Sequence, residues 1–305
     1  MSANVSPRLV GLVVFITLLF ALLGWMYLDF LEFIQYPLLA ILLLTIGLPH
    51  GATDYLLFRR MNKSKLTNKK ILKFFTIYVA TVIGFLVMWL IFPLISFIIF
   101  ILISSYHFGQ SNWENIVVTK KYSLLLNLFW GAFAIGGSVL WHWQDSSIII
   151  GQVIGFVPDI SQDVMNIVQI SLVVVNVFIV VLLRYSNTIT SSQSWGELGK
   201  LVILSSMFYF TPMLIGFALY FALWHSLSSL MSQLSYYKKL WPSFTLSDYY
   251  RQAAPYTLLA VFGFGIMVLG HSYILPGVSM ISTFLVFIAC VTLPHIIVVD
   301  ESYQH

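Results

Sequence analysis

Four histidines, His50, His107, His225 and His295, lie inside stretches of chain that are otherwise apolar enough to cross a membrane. An imidazole at membrane depth is costly to bury and marks a functional site by default. Four of them on separate segments point to a shared metal ion. Their neighbours strengthen that reading. Asp54 follows His50 by four residues, so on a continuous helix it shares the face of His50 and is placed to orient the ring or to complete a coordination sphere. Pro49-His50 is flanked by Gly47 and Gly51, which permit a kink, and Pro294-His295 repeats the proline-histidine device. After His107, residues Gln110, Ser111 and Glu114 recur on one helical face, and Ser229 stands in the same relation to His225. Glu114 reads equally well as a second-sphere partner or as a solvated end residue. His142 and His271 close apolar segments and His305 ends the chain, which suits interfacial or solvated rings.

The elements that must position these residues are membrane helices. The chain is 59% hydrophobic and 9% charged, with a mean hydropathy of +0.92. A soluble domain usually carries about a quarter of its residues charged, so the chain is expected to be an integral membrane protein. About ten spans of suitable length are expected: 9–28, 35–58, 71–92, 94–117, 122–142, 166–184, 198–211, 212–237, 254–271 and 278–299. The fold class is then an all-α polytopic helical bundle forming one integral membrane domain over residues 1–305. The first apolar run is too long for a signal peptide and lacks a small-residue cleavage site, so it is read as a retained span.

Charge sets the orientation. Placing both termini in the cytoplasm puts all 15 Lys and Arg residues on or beside the inner face, as the positive-inside rule requires. That distribution accounts for the net charge of +4 without nucleic acid. The stretch 144–165 reads as an outer connection with a short interfacial helix. The single cysteine, Cys290, excludes an intrachain disulfide and a cysteine-based metal cluster.

In this topology the four histidines lie on spans two, four, eight and ten, which all run inward. The next inner Lys or Arg follows His50 by nine residues and follows both His107 and His225 by thirteen. His295 precedes Asp300 by only five and stands nearer the inner surface. At about 1.5 Å per residue the first three agree closely in depth. Nitrogen ligands with at most one carboxylate suit iron, zinc or copper. The chain has no H-E-x-x-H of zinc proteases and no H-x-x-H or H-H of clustered histidine boxes. A single iron with open positions for O₂ matches best.

The motifs themselves now resemble a known family. Gly47-Leu48-Pro49-His50-Gly51-Ala52-Thr53-Asp54, Tyr106-His107-Phe108-Gly109-Gln110, Trp224-His225-Ser226 and Thr292-Leu293-Pro294-His295 are similar, in order and spacing, to the Brp/Blh family of β-carotene 15,15′-dioxygenases. The resemblance implies a multi-pass enzyme of the cell membrane that uses Fe(II) and O₂ to split the central double bond of β-carotene into two molecules of retinal. It implies membrane lipid as the medium and a functional link to a retinal-binding rhodopsin. His50, His107 and His225 match the family's iron-binding histidines. The family's third motif usually reads W-H-x-x-R-H, and this chain has Ser228 and Ser229 in the last two places. His295, with Asp54 behind it, is the candidate to replace the missing imidazole. Two other functions suit the same residues: binding of a carotenoid or retinal without cleavage, and a transporter or proton relay built on buried histidines.

Overall fold

A computed structural model describes residues 6–62, 66–114, 116, 118–275 and 277–303. Lys63, Lys65 and His305 lie outside them. The chain begins with α1 (Pro7–Met26) and α2 (Leu28–Leu42), continues through a π-helical turn at Leu43–Gly47, and enters α3 (Leu48–Gly51) and α4 (Asp54–Met61). Then come α5 (Asn68–Ile91), α6 (Pro93–Trp113), α7 (Lys120–Leu140), α8 (Trp143–Ile154) and α9 (Gln162–Tyr185). They are followed by α10 (Ser191–Phe210) and α11 (Met213–Leu219). A second π-helical turn, Tyr220–Ser226, leads into α12 (Leu227–Leu240), and α13 (Leu246–Leu269), α14 (His271–Ile274) and α15 (Met280–Tyr303) follow. No strand occurs among the described residues. A helix satisfies its own backbone groups, which is the requirement that hydrocarbon imposes.

Nine helices among the described residues are long and apolar enough to cross a membrane. The expected tenth, 198–211, forms within α10 but is not among them. Its first three turns hold Gln193, Glu197 and Lys200, which lower its hydropathy. Its start is fixed by a capping box in which Thr190 and Gln193 exchange side-chain and backbone bonds of 3.2 and 2.7 Å. The short helix expected in 144–165 appears as α8. Most spans are less than half enclosed by protein. Met213–Lys239 and Met280–Glu301, which carry His225 and His295, are 72% and 61% buried.

The chain divides into two compact units. The first holds Met1–Gly47, Ser105–Ser146 and Asp159–Leu246. Trp130, Phe133, Leu204, Phe208 and Ile215 fill its core. Polar side chains add specific ties between helices: Asn176 Nδ2 donates to the Phe129 carbonyl at 3.0 Å and Gln169 Nε2 to that of Phe133 at 3.3 Å, holding α9 on α7. The C-terminal part of α6 crosses α7 at backbone contact. A Cβ on Gly109 would collide with the Asn127 backbone, and one on Gly131 with the Ser105 carbonyl.

The second unit holds Leu48–Ser104, Ser147–Pro158 and Ser247–His305. Here α15 packs along α5, with Phe85, Trp89, Val286 and Ala289 buried in the seam. Trp89 Nε1 donates to the Val153 carbonyl at 3.4 Å, and Ser282 Oγ donates to Gln152 Oε1 at 2.8 Å, which ties α8 to α5 and α15. Leu57 meets Val298 and Val299, seating α4 on α15.

The glycine crossing gives a direct test. Gly109→Val and Gly131→Val force backbones apart, at a cost of about 1–3 kcal/mol or more. Each is expected to lower the thermal midpoint of the detergent-purified protein. Gly84→Ala, which meets nothing within 4 Å, is expected to leave it unchanged or raise it. Equal midpoints for all three would contradict the crossing.

Candidate functional site

In the first unit, His107 sits on α6 two residues before Gly109, so the tight crossing with α7 fixes its height. His225 comes from the second π-helical turn. A π-turn inserts an extra residue into a helix and re-aims the side chains around it, an arrangement frequent at functional sites. The two rings lie 4.9 Å apart between centroids, edge to face, and both residues are 3% exposed. Phe108 packs against His225 at 4.6 Å, and Phe221 stacks on it at 5.9 Å with planes 24° apart.

Phe221 reaches that position because Gly47 ends the first π-helical turn. A Cβ on Gly47 would stand 2.8 Å from the Phe221 ring. Beside His225, Trp224 Nε1 donates to Thr17 Oγ1 at 2.9 Å, and Thr17 Oγ1 donates to the Val13 carbonyl at 2.7 Å. Helix α1 therefore anchors the residue next to His225. A small cavity lined by Ser111, Asn112, Trp130, Ser228 and His225 adjoins the ring. Asn112 is itself engaged: its Nδ2 donates to Glu197 at 3.1 Å and its Oδ1 accepts from Lys200 at 3.1 Å, while Lys200 and Glu197 pair at 2.7 Å.

In the second unit, His50 on α3 and His295 on α15 are 2% and 6% exposed, with ring centroids 4.8 Å apart and planes at 90°. Asp54 follows His50 by four residues, and both meet His295, His50 through its ring and Asp54 through its carboxylate. The helix between them is interrupted at Ala52 and Thr53, where Thr53 Oγ1 donates to the His50 carbonyl at 2.8 Å and Asp54 opens α4. His295 Nδ1 donates to Asp54 Oδ1 at 2.7 Å. Tyr78 Oη on α5 donates to the other oxygen at 2.9 Å. The second proline-histidine pair lacks such a break, because Pro294 lies inside a continuous α15.

Three buried histidines, His50, His107 and His225, could each give a nitrogen to a metal ion. His295 is not one of that set and holds Asp54 instead. Ser229 is half-buried, whereas its neighbour Ser228 is buried and borders the cavity beside His225. Glu114 is half-buried in the turn after α6. Tyr78 and Thr17 have no signal in the sequence: each is a hydroxyl in a largely apolar helix, and its partner lies on another element.

A family model described as beta-carotene 15,15'-dioxygenase matches residues 41–301. The chain belongs to that family. No curated protein and no solved structure matches it. The chain is accordingly a β-carotene 15,15′-dioxygenase by family, with carotene and O₂ as the substrates. Three of the family-like motifs carry the buried histidines that could bind a metal. Helix α1, which supplies Thr17, lies outside the matched region.

That anchor is testable. Thr17→Val strands the buried Trp224 Nε1, and a buried donor without an acceptor costs about 1–3 kcal/mol. The variant is expected to melt several degrees lower, and Thr17→Ser, which keeps the hydroxyl, is expected to melt like the wild type. Wild-type stability in Thr17→Val would show that the bond contributes nothing.

Proposed function

We propose that the chain is an iron enzyme whose Fe(II) is held by His50, His107 and His225. Support comes from the donor chemistry. Imidazole nitrogens suit a first-row transition metal, and His107 and His225 stand as a close ring pair. Thiolates are absent from the set, and a buried carboxylate orients a histidine beside His50. Iron, when bound, supplies the one-electron chemistry that ground-state O₂ needs to react with a closed-shell polyene.

The protein's own part is to orient and to exclude water. Phe108 and Phe221 pack against His225, which is 3% exposed, so most of the side chain is kept from water. A carotene dissolves in the bilayer, so a membrane-depth centre meets its substrate without drawing it into water. Cleavage of the central double bond gives each of its two carbons one oxygen atom, and two retinal molecules leave. A retinal-binding rhodopsin is the natural consumer of that product.

The cell membrane is the proposed location, with both termini in the cytoplasm and α10 crossing as a tenth span. The Lys200–Glu197 pair supports that crossing, since each charge cancels the other where the helix is least apolar.

The single observation that carries the metal reading is the burial of the three histidines. In a host that accumulates β-carotene, the wild type is expected to yield retinal and to purify with about one iron per chain. Alanine at His50, His107 or His225 is expected to lower retinal at least 100-fold and to empty the site. Stoichiometric iron without retinal would favour a carotenoid-binding role. Wild-type iron content in all three variants would refute the ligand set. Reporter fusions at both ends are expected to show cytoplasmic activity, and opposite sides would leave nine spans.

A further inference from the structure

The second unit holds a polar array that the proposed chemistry does not otherwise use. Asp54 is 3% exposed and lies among Leu56, Leu57 and the α5 and α15 side chains. Both of its oxygens are bonded: Oδ1 by His295 Nδ1 at 2.7 Å and Oδ2 by Tyr78 Oη at 2.9 Å. A carboxylate buried in hydrocarbon is expensive unless donors surround it. This one draws its donors from α5 and α15, two helices that its own short helix does not contain. Because a carboxylate accepts, His295 must carry its proton on Nδ1, so its orientation and tautomer are set together. The ring so fixed stands perpendicular to His50, with centroids 4.8 Å apart.

We propose that Tyr78, Asp54 and His295 are positioning residues for the metal centre, forming one array that holds the His50 imidazole in its ligating orientation. The inference rests on the reading of His50 as a ligand. The carboxylate acts one step out, through the neighbouring imidazole that it bonds. The array also gives work to a buried histidine that stands outside the three-ligand set.

The test is metal binding by the full-length protein in nanodiscs, with Co(II) as the probe and its visible ligand-field absorption as the signal. Tyr78→Phe keeps the ring and removes one donor. It is expected to retain one Co(II) per chain with a shifted spectrum and a weakened affinity. Asp54→Asn is expected to weaken binding further and Asp54→Ala the most, within the range of about 10- to 100-fold usual for groups that orient metal ligands. Asp54→Asn still offers His295 a carbonyl acceptor, so its partial retention relative to Asp54→Ala separates orientation from misfolding. Wild-type affinity and spectrum in both Asp54→Ala and His295→Ala would overturn the array while leaving the ligand set intact. Undiminished binding by His50→Ala would overturn the ligand reading itself. Loss of the whole site in His295→Ala, restored by adding Ser229→His, would make His295 a ligand and overturn its positioning role.

Discussion

A polar group enclosed by apolar side chains and lipid has no water to turn to, so a partner in another part of the protein stabilises it strongly. Much of this structure follows from that demand. Asn176 and Gln169 answer carbonyls on α7, and in doing so fix α9 upon it. Lys200 and Glu197 answer each other and enlist Asn112. Trp224 finds Thr17 across the first unit, and Asp54 finds Tyr78 and His295 across the second. These bonds join helices that the hydrophobic effect cannot discriminate, since lipid and leucine are equally apolar. They supply the specificity that packing alone leaves open.

The same demand explains the backbone irregularities. Two π-helical turns and one helix break cluster at residues 43–53 and 220–226, where histidines must be aimed rather than merely enclosed. Gly47 closes the first π-turn against Phe221, and Phe221 covers His225. A single side-chain deletion at position 47 thus allows a ring to seal an imidazole 178 residues away in sequence. Elsewhere glycines serve closeness: Gly109 and Gly131 let α6 and α7 meet at backbone distance and so set the level of His107.

How much of this the sequence displays depends on how costly each feature is. Buried histidines are expensive, and His50, His107, His225 and His295 stand out in apolar runs for that reason; all four are buried in the structure. Hydropathy marks nine spans among the described residues, and α10, which holds Glu197 and Lys200, is not one of them. Spacing places Asp54 near His50, but it cannot show that the partners of its carboxylate are Tyr78 on α5 and His295 on α15. Tyr78 and Thr17 stay hidden for the converse reason. One hydroxyl in an apolar helix is cheap and common, and only the fold reveals which one carries a bond.

The serines at 228 and 229 sharpen what a reduced ligand set requires. A family member with a second histidine at position 229 can rely on two imidazoles one helical turn apart, each limiting the other's freedom. Here His225 has no such partner on its own helix. Its ring instead packs against Phe108 and Phe221, and Thr17 anchors the neighbouring Trp224. His50 is similarly steadied from outside by His295 and the carboxylate behind it. Under the proposed ligand set, fewer imidazoles would hold the metal, and each that remains would have fewer restraints from its neighbours. On this reading the aromatic walls around His225 and the Tyr78–Asp54–His295 array restore the restraint that the missing imidazole would have given, and they do so without occupying a position at the metal.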